Sequence, residues 1–111
     1  MTKITYDRDD LSVRAEGHSG YEVAGKDIVC ASVSALMLVL GLYADKLGKK
    51  GKLRKAPKIS YKEAESEVSI EIIGLYKREA REVFDVVCEG FERLSREYKD
   101  NVSYERIWEG V

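Results

Sequence analysis

Histidine occurs once in these 111 residues, cysteine twice and tryptophan once. One histidine and two well-separated cysteines assemble neither a zinc-finger spacing nor the ligand set of a metal hydrolase, so no metal and no cofactor is expected. Two cysteines do not make a disulfide framework, and the start Met1-Thr2-Lys3-Ile4-Thr5-Tyr6-Asp7 lacks the apolar core of a secretion signal. A reducing cytoplasm is the expected setting. An excess of one charge is missing too: 19 basic against 20 acidic residues leave −1. Nothing global therefore drives the chain toward nucleic acid or a membrane. There is no repeat at solenoid periods. The length suits a single domain, residues 1–111, able to bury one core without staples.

What is present is a pattern of strands and helices. Lys3-Ile4-Thr5-Tyr6 and Leu11-Ser12-Val13-Arg14-Ala15 alternate apolar and polar residues around Asp7-Arg8-Asp9-Asp10, the pattern of a hairpin with one buried face. From Ile28 to Ala44 no charge interrupts an Ala-, Leu- and Met-containing run that predicts a helix. That run is about 25 Å long as a helix and broken by Ser32 and Ser34, which favours a buried core helix over a membrane span. Lys46 to Lys58 carries seven basic residues and no acid, with Gly48, Gly51 and Pro57, and reads as an exposed linker. The linker is either a solvated loop or a surface that steers toward RNA or an acidic precursor, and its lack of interleaved aromatics weighs against direct nucleic-acid binding.

A second hairpin is expected from Ile59-Ser60-Tyr61 and Val68-Ser69-Ile70-Glu71-Ile72, turning near Ala64 to Ser66 and closed by Gly74. Between Tyr76 and Tyr98 apolar residues recur every three or four positions, giving an amphipathic helix. The tail offers a short strand near Ser103 to Ile107, or packing of Trp108. The expected fold is α+β, two hairpins each followed by a helix (β-β-α-β-β-α), with the central apolar helix packed on an antiparallel sheet and on the second helix.

The single histidine and one cysteine lie twelve positions apart, His18 and Cys30, joined by a loop containing Gly20 and Gly25. Glycines allow such a loop to fold back and bring imidazole to sulfur, the pairing a thiolate nucleophile needs. Asp27 stands where a helix cap belongs, which puts Cys30 in the first turn. There, free amides and the positive end of the helix dipole stabilise a thiolate and offer a site for an oxyanion. The ordinary alternative is a small buried cysteine beside an unremarkable loop histidine. Asp27 either caps the helix or orients His18, and its position three before Cys30 favours the cap. Ser34, one turn after Cys30, reaches either the sulfur or the Cys30 carbonyl. Tyr21 is a candidate for the wall of a substrate pocket, and Cys88 reads as a core residue.

Taken whole, Gly17-His18-Ser19-Gly20-Tyr21, Gly25-Lys26-Asp27-Ile28-Val29-Cys30-Ala31 and Ser34-Ala35-Leu36 resemble the signature of the ribosomal-processing cysteine protease family, Prp. The resemblance implies His18 as base and Cys30 as nucleophile, with Asp27 and Ser34 on motif positions. It implies a small α+β domain, commonly a homodimer, that removes a short N-terminal extension from a large-subunit ribosomal protein. Relatives associated with bacteriophage cut capsid or scaffold precursors, and a non-catalytic ribosome or RNA-binding accessory protein is the alternative from another class. Ser32 replaces a frequent alanine, the basic segment is long, and the tail continues through Trp108; these departures touch the substrate's identity more than the chemistry.

Overall fold

The computed structural model describes residues 1–22 and 27–109. Strands β1 (Thr2–Asp7) and β2 (Ser12–Glu16) form the first hairpin, followed by helix α1 (Ile28–Lys49). Strands β3 (Lys58–Lys62) and β4 (Glu65–Ser69) form the second, followed by helix α2 (Lys77–Glu97) and strand β5 (Val102–Ile107). The hairpins join edge to edge, β4 beside β2, in a five-stranded sheet of order β3-β4-β2-β1-β5. The expected α+β architecture is present with one addition: β5 runs parallel to β1, with Thr2 opposite Val102 and Asp7 opposite Ile107, so the sheet is mixed rather than antiparallel.

Period-two alternation puts Ile4, Tyr6, Val13, Ala15 and Val68 on one face of the sheet, where they meet Val29, Met37 and Leu40 of α1 and Ala80, Phe84 and Phe91 of α2. This shared core explains the uncharged run: α1 buries Val29, Val33, Met37, Leu40, Ala44 and Leu47 along one side. Length and composition alone would let α1 cross a membrane. Its opposite side leaves Leu38, Val39 and Leu42 about half exposed. Cys88 lies in the core as expected, and burial, with Asp85 nearby, pushes its thiol well above the ordinary range.

Three boundaries differ from the expectation. Helix α1 runs through Lys46 and Lys49, whose charges suit its negative end, and stops where Gly51 takes a φ of +70°. The basic segment is therefore partly helix, and Lys49, Lys52, Lys55 and Lys58 pair with Asp45, Glu79, Glu71 and Glu67. Strand β4 ends at Ser69, opposite Ser12, where Leu11 takes a φ of +53° and its carbonyl accepts one last bond, from the Ile70 N–H at 3.2 Å; beyond it Ile72 makes an isolated bridge to Leu53. The turn of the second hairpin is Glu63-Ala64, one step earlier than expected, with Ala64 at a φ of +60°. At the far end of the chain Trp108 stacks on Arg8, 4.0 Å away, while Arg8 grips Asp85 through Nε and Nη2 at 2.9 Å.

Candidate active site

The site forms where the end of β2, the turn of the second hairpin and the start of α1 converge. Gly17 leaves β2 with a φ of +90°, a conformation that side chains disfavour, and its N–H donates to the Ala64 carbonyl at 2.8 Å. A Cβ on Gly17 would lie 2.3 Å from the Met1 carbonyl oxygen, so the glycine is required by space as well as by torsion. The turn throws His18 outward, exposed, and Ser19 inward, where it is only 1% exposed. Asn101, in the turn between α2 and β5, donates its side-chain amide to the Ser19 carbonyl at 2.9 Å and accepts the Thr2 N–H on its own carbonyl at 2.8 Å.

Asp27 is the N-cap of α1, extended at φ −81° and ψ 97°. Its Oδ1 accepts the Cys30 N–H at 2.9 Å, and its backbone carbonyl accepts the Ala31 N–H at 3.1 Å. Oδ2 accepts a short hydrogen bond from the Ser19 hydroxyl. That hydroxyl, with the amides of the first turn and the Cys30 thiol, holds the Asp27 carboxyl at about 2, below the usual carboxylate range and against the opposing effect of burial. Ser19 Oγ in turn lies 3.2 Å from the Tyr21 N–H and 3.4 Å from Cys30 Sγ.

Cys30 and His18 line one cavity of about 660 Å³, together with Ser34, Gly20 and the Glu63-Ala64 turn. Imidazole and thiol thus face the same space, with no hydrogen bond between them among the described residues. An oxyanion site built from the first-turn amides, as the sequence suggested, is not available at Cys30 and Ala31, because Asp27 has taken both N–H groups. Asp27 acts as cap and as acceptor for Ser19 rather than as a partner of His18. Among the described residues Ser34 forms neither of its two expected bonds; Ser32 instead bonds back to the Ile28 carbonyl at 2.7 Å. Tyr21 does not line the cavity, since its ring packs edge-on against Tyr98 at 5.3 Å. Gly25 lies outside the described residues. Sequence reasoning missed Ser19 and Asn101; Ser19 sat within the quoted motif, whereas Asn101 carried no signal beyond ending a helix. Among the described residues no group of three or more histidine, cysteine or acidic side chains is placed to hold a metal ion.

The chain superposes on the essential ribosomal processing protease Prp of S. aureus, solved with a covalently linked product peptide, with a TM-score of 0.73 and 19% identity over 96% of this chain and 100% of that one. The same S. aureus protease with a substrate peptide gives 0.63 and 20% identity over 96% and 97% of the two chains. A Streptococcus mutans protein gives 0.65 and 20% identity over 96% and 91%. No curated protein matches the sequence significantly. The family model for cysteine protease Prp matches residues 1–103, nearly the whole chain, and on that match the protein belongs to the Prp family and is a cysteine protease.

Proposed function

We propose that this protein is an endopeptidase that removes the N-terminal extension of a large-subunit ribosomal protein, with Cys30 as nucleophile and His18 as base. The observation that carries the dyad is the shared cavity: the only histidine and the half-buried cysteine at the start of α1 face the same space, wide enough for a peptide segment. In this reading His18 takes the thiol proton as sulfur attacks the scissile carbonyl, then returns it to the departing amine. A thioester remains on Cys30 until water releases it. His18, exposed and without a hydrogen bond among the described residues, swings toward sulfur once substrate fills the cavity. The ribosomal substrate is inferred by family membership and from the S. aureus relative, which is described as a ribosomal processing protease.

The same reading puts the protein in the cytoplasm, where its two free cysteines are at home. It also makes the protein a homodimer, for which the uncovered apolar side of α1 is the support. The basic segment does not favour an RNA-binding role, since four of its cations are already paired with acids. The test is incubation with the N-terminal segment of the source organism's own large-subunit protein, read by mass spectrometry. Cleavage is expected at one bond, lost in Cys30→Ala and reduced about 10²- to 10⁴-fold in His18→Ala. Cleavage that survives Cys30→Ala overturns the dyad.

A further inference from the structure

We propose that Ser19 is a positioning residue that holds the resting nucleophile as a parked thiol. Asp27, an ionised carboxylate, can only accept, so the Ser19 hydroxyl proton points at Oδ2. With its proton committed, Ser19 Oγ can only accept from its two other neighbours, the Tyr21 N–H at 3.2 Å and the Cys30 S–H at 3.4 Å, a thiol that also reaches the Asp27 carboxylate. One donor and two lone pairs are all used, in a side chain only 1% exposed. The contact with sulfur therefore exists for the thiol and not for the thiolate, and a hydrogen bond to the neutral form disfavours ionisation. The Ser19 backbone is pinned as well, by Asn101, so the hydroxyl has little room to drift. To donate to sulfur instead of accepting from it, the Ser19 hydroxyl has to give up its bond to Asp27.

This inference rests on Cys30 as the nucleophile of the proposed reaction, and its test needs no peptide. The probe is iodoacetamide at neutral pH, with mass spectrometry reporting the rate of modification at Cys30; His18, Glu22, Lys62, Glu63 and Glu65, the other titratable groups around the cavity, stay unchanged in every variant. Ser19→Ala removes the acceptor, and alkylation is expected about three- to tenfold faster, the range of one net hydrogen bond. Asp27→Asn keeps a cap oxygen for the Cys30 amide but presents an NH₂ to Ser19, which reverses the bond and turns the serine proton toward sulfur. Alkylation rises there too. Loss of the Asp27 charge alone would accelerate it equally with or without Ser19, so the gain from Asp27→Asn is measured again in the Ser19→Ala background. A gain at least halved in that background supports the parked thiol. An equal gain in both backgrounds, or slower or unchanged alkylation in Ser19→Ala, overturns it. Should Ser19→Ala fail to fold, unchanged or slower alkylation of Asp27→Asn still overturns the proposal. Failure of the protease reading would show separately, as an intact peptide with the wild-type chain.

Discussion

Asn101 donates its side-chain amide to the Ser19 carbonyl at 2.9 Å, across 82 positions of sequence. That bond ties the loop carrying His18 to the turn between α2 and β5, and the Asn101 carbonyl ties the same turn to the start of β1. That turn thus serves the site without lining its cavity. Asn101→Ala should lower stability by about 1 kcal/mol, the usual net value of one hydrogen bond. Amide exchange from Gly17 to Tyr21 should quicken while the centre of the sheet keeps its protection. Unchanged exchange in that loop would show that the bond does not hold it.

Gly17 and Gly20 flank the same two residues and should respond unequally to alanine. Both have positive φ, +90° and +69°, but a Cβ on Gly17 meets the Met1 carbonyl oxygen at 2.3 Å, whereas one on Gly20 meets nothing within 4 Å. Gly20→Ala bears only the left-handed torsion, about 1 kcal/mol. Gly17→Ala must in addition push β1 and β2 apart at their ends, so a loss of more than about 2 kcal/mol is expected, with cleavage falling alongside. Urea denaturation of the two variants gives the comparison, and equal losses would refute the steric argument.

The depressed Asp27 carboxyl makes a definite statement about acid. Its value falls from 3.8 to about 2 on folding, so the folded state favours the ionised form. The stabilisation is fully present above the unfolded value, near pH 4, and disappears as pH drops through about 2. Asp85, also lowered because hydrogen bonds from Arg8 and Tyr6 outweigh the effect of its burial, contributes to the same acid loss. The difference between wild type and Asp27→Asn isolates the cap: the gap in melting temperature should be constant above pH 4 and close between pH 4 and 2. A gap that widens on acidification would have the wrong sign.

How much of this was legible in the sequence follows from which forces are local. The alternation in Lys3 to Tyr6 and the uncharged run after Ile28 announced a hairpin and a core helix, because burial of one face sets those periods directly. Asp27 announced itself as a cap by its spacing from Cys30. The parallel pairing of β5 with β1 was not legible, since it joins segments a whole chain apart and depends on where α2 delivers the strand. The oxyanion expectation failed for a reason internal to the sequence reading: a residue that caps a helix well also consumes the amides that would greet an oxyanion. The basic segment misled because its acids, Glu67, Glu71 and Glu79, lie elsewhere in the chain.

The uncovered side of α1 yields the last prediction. Leu38, Val39 and Leu42 are 50, 49 and 61% exposed, in one patch on a helix whose first turn carries Cys30. A contiguous apolar face of this kind on a small domain is usually covered by a partner, and a second copy lying across it would bury both patches at once. Wild-type protein should therefore sediment near 25 kDa, twice 12.6 kDa, and Leu42→Glu near the single-chain mass. Because the patch lies in the middle of α1, beginning one turn after Ser34, dissociation should also lower cleavage, by loosening the helix that fixes the nucleophile. A wild-type chain that sediments as a monomer at micromolar concentration removes the dimer, and with it the reason for an apolar helix exposed on its outer side.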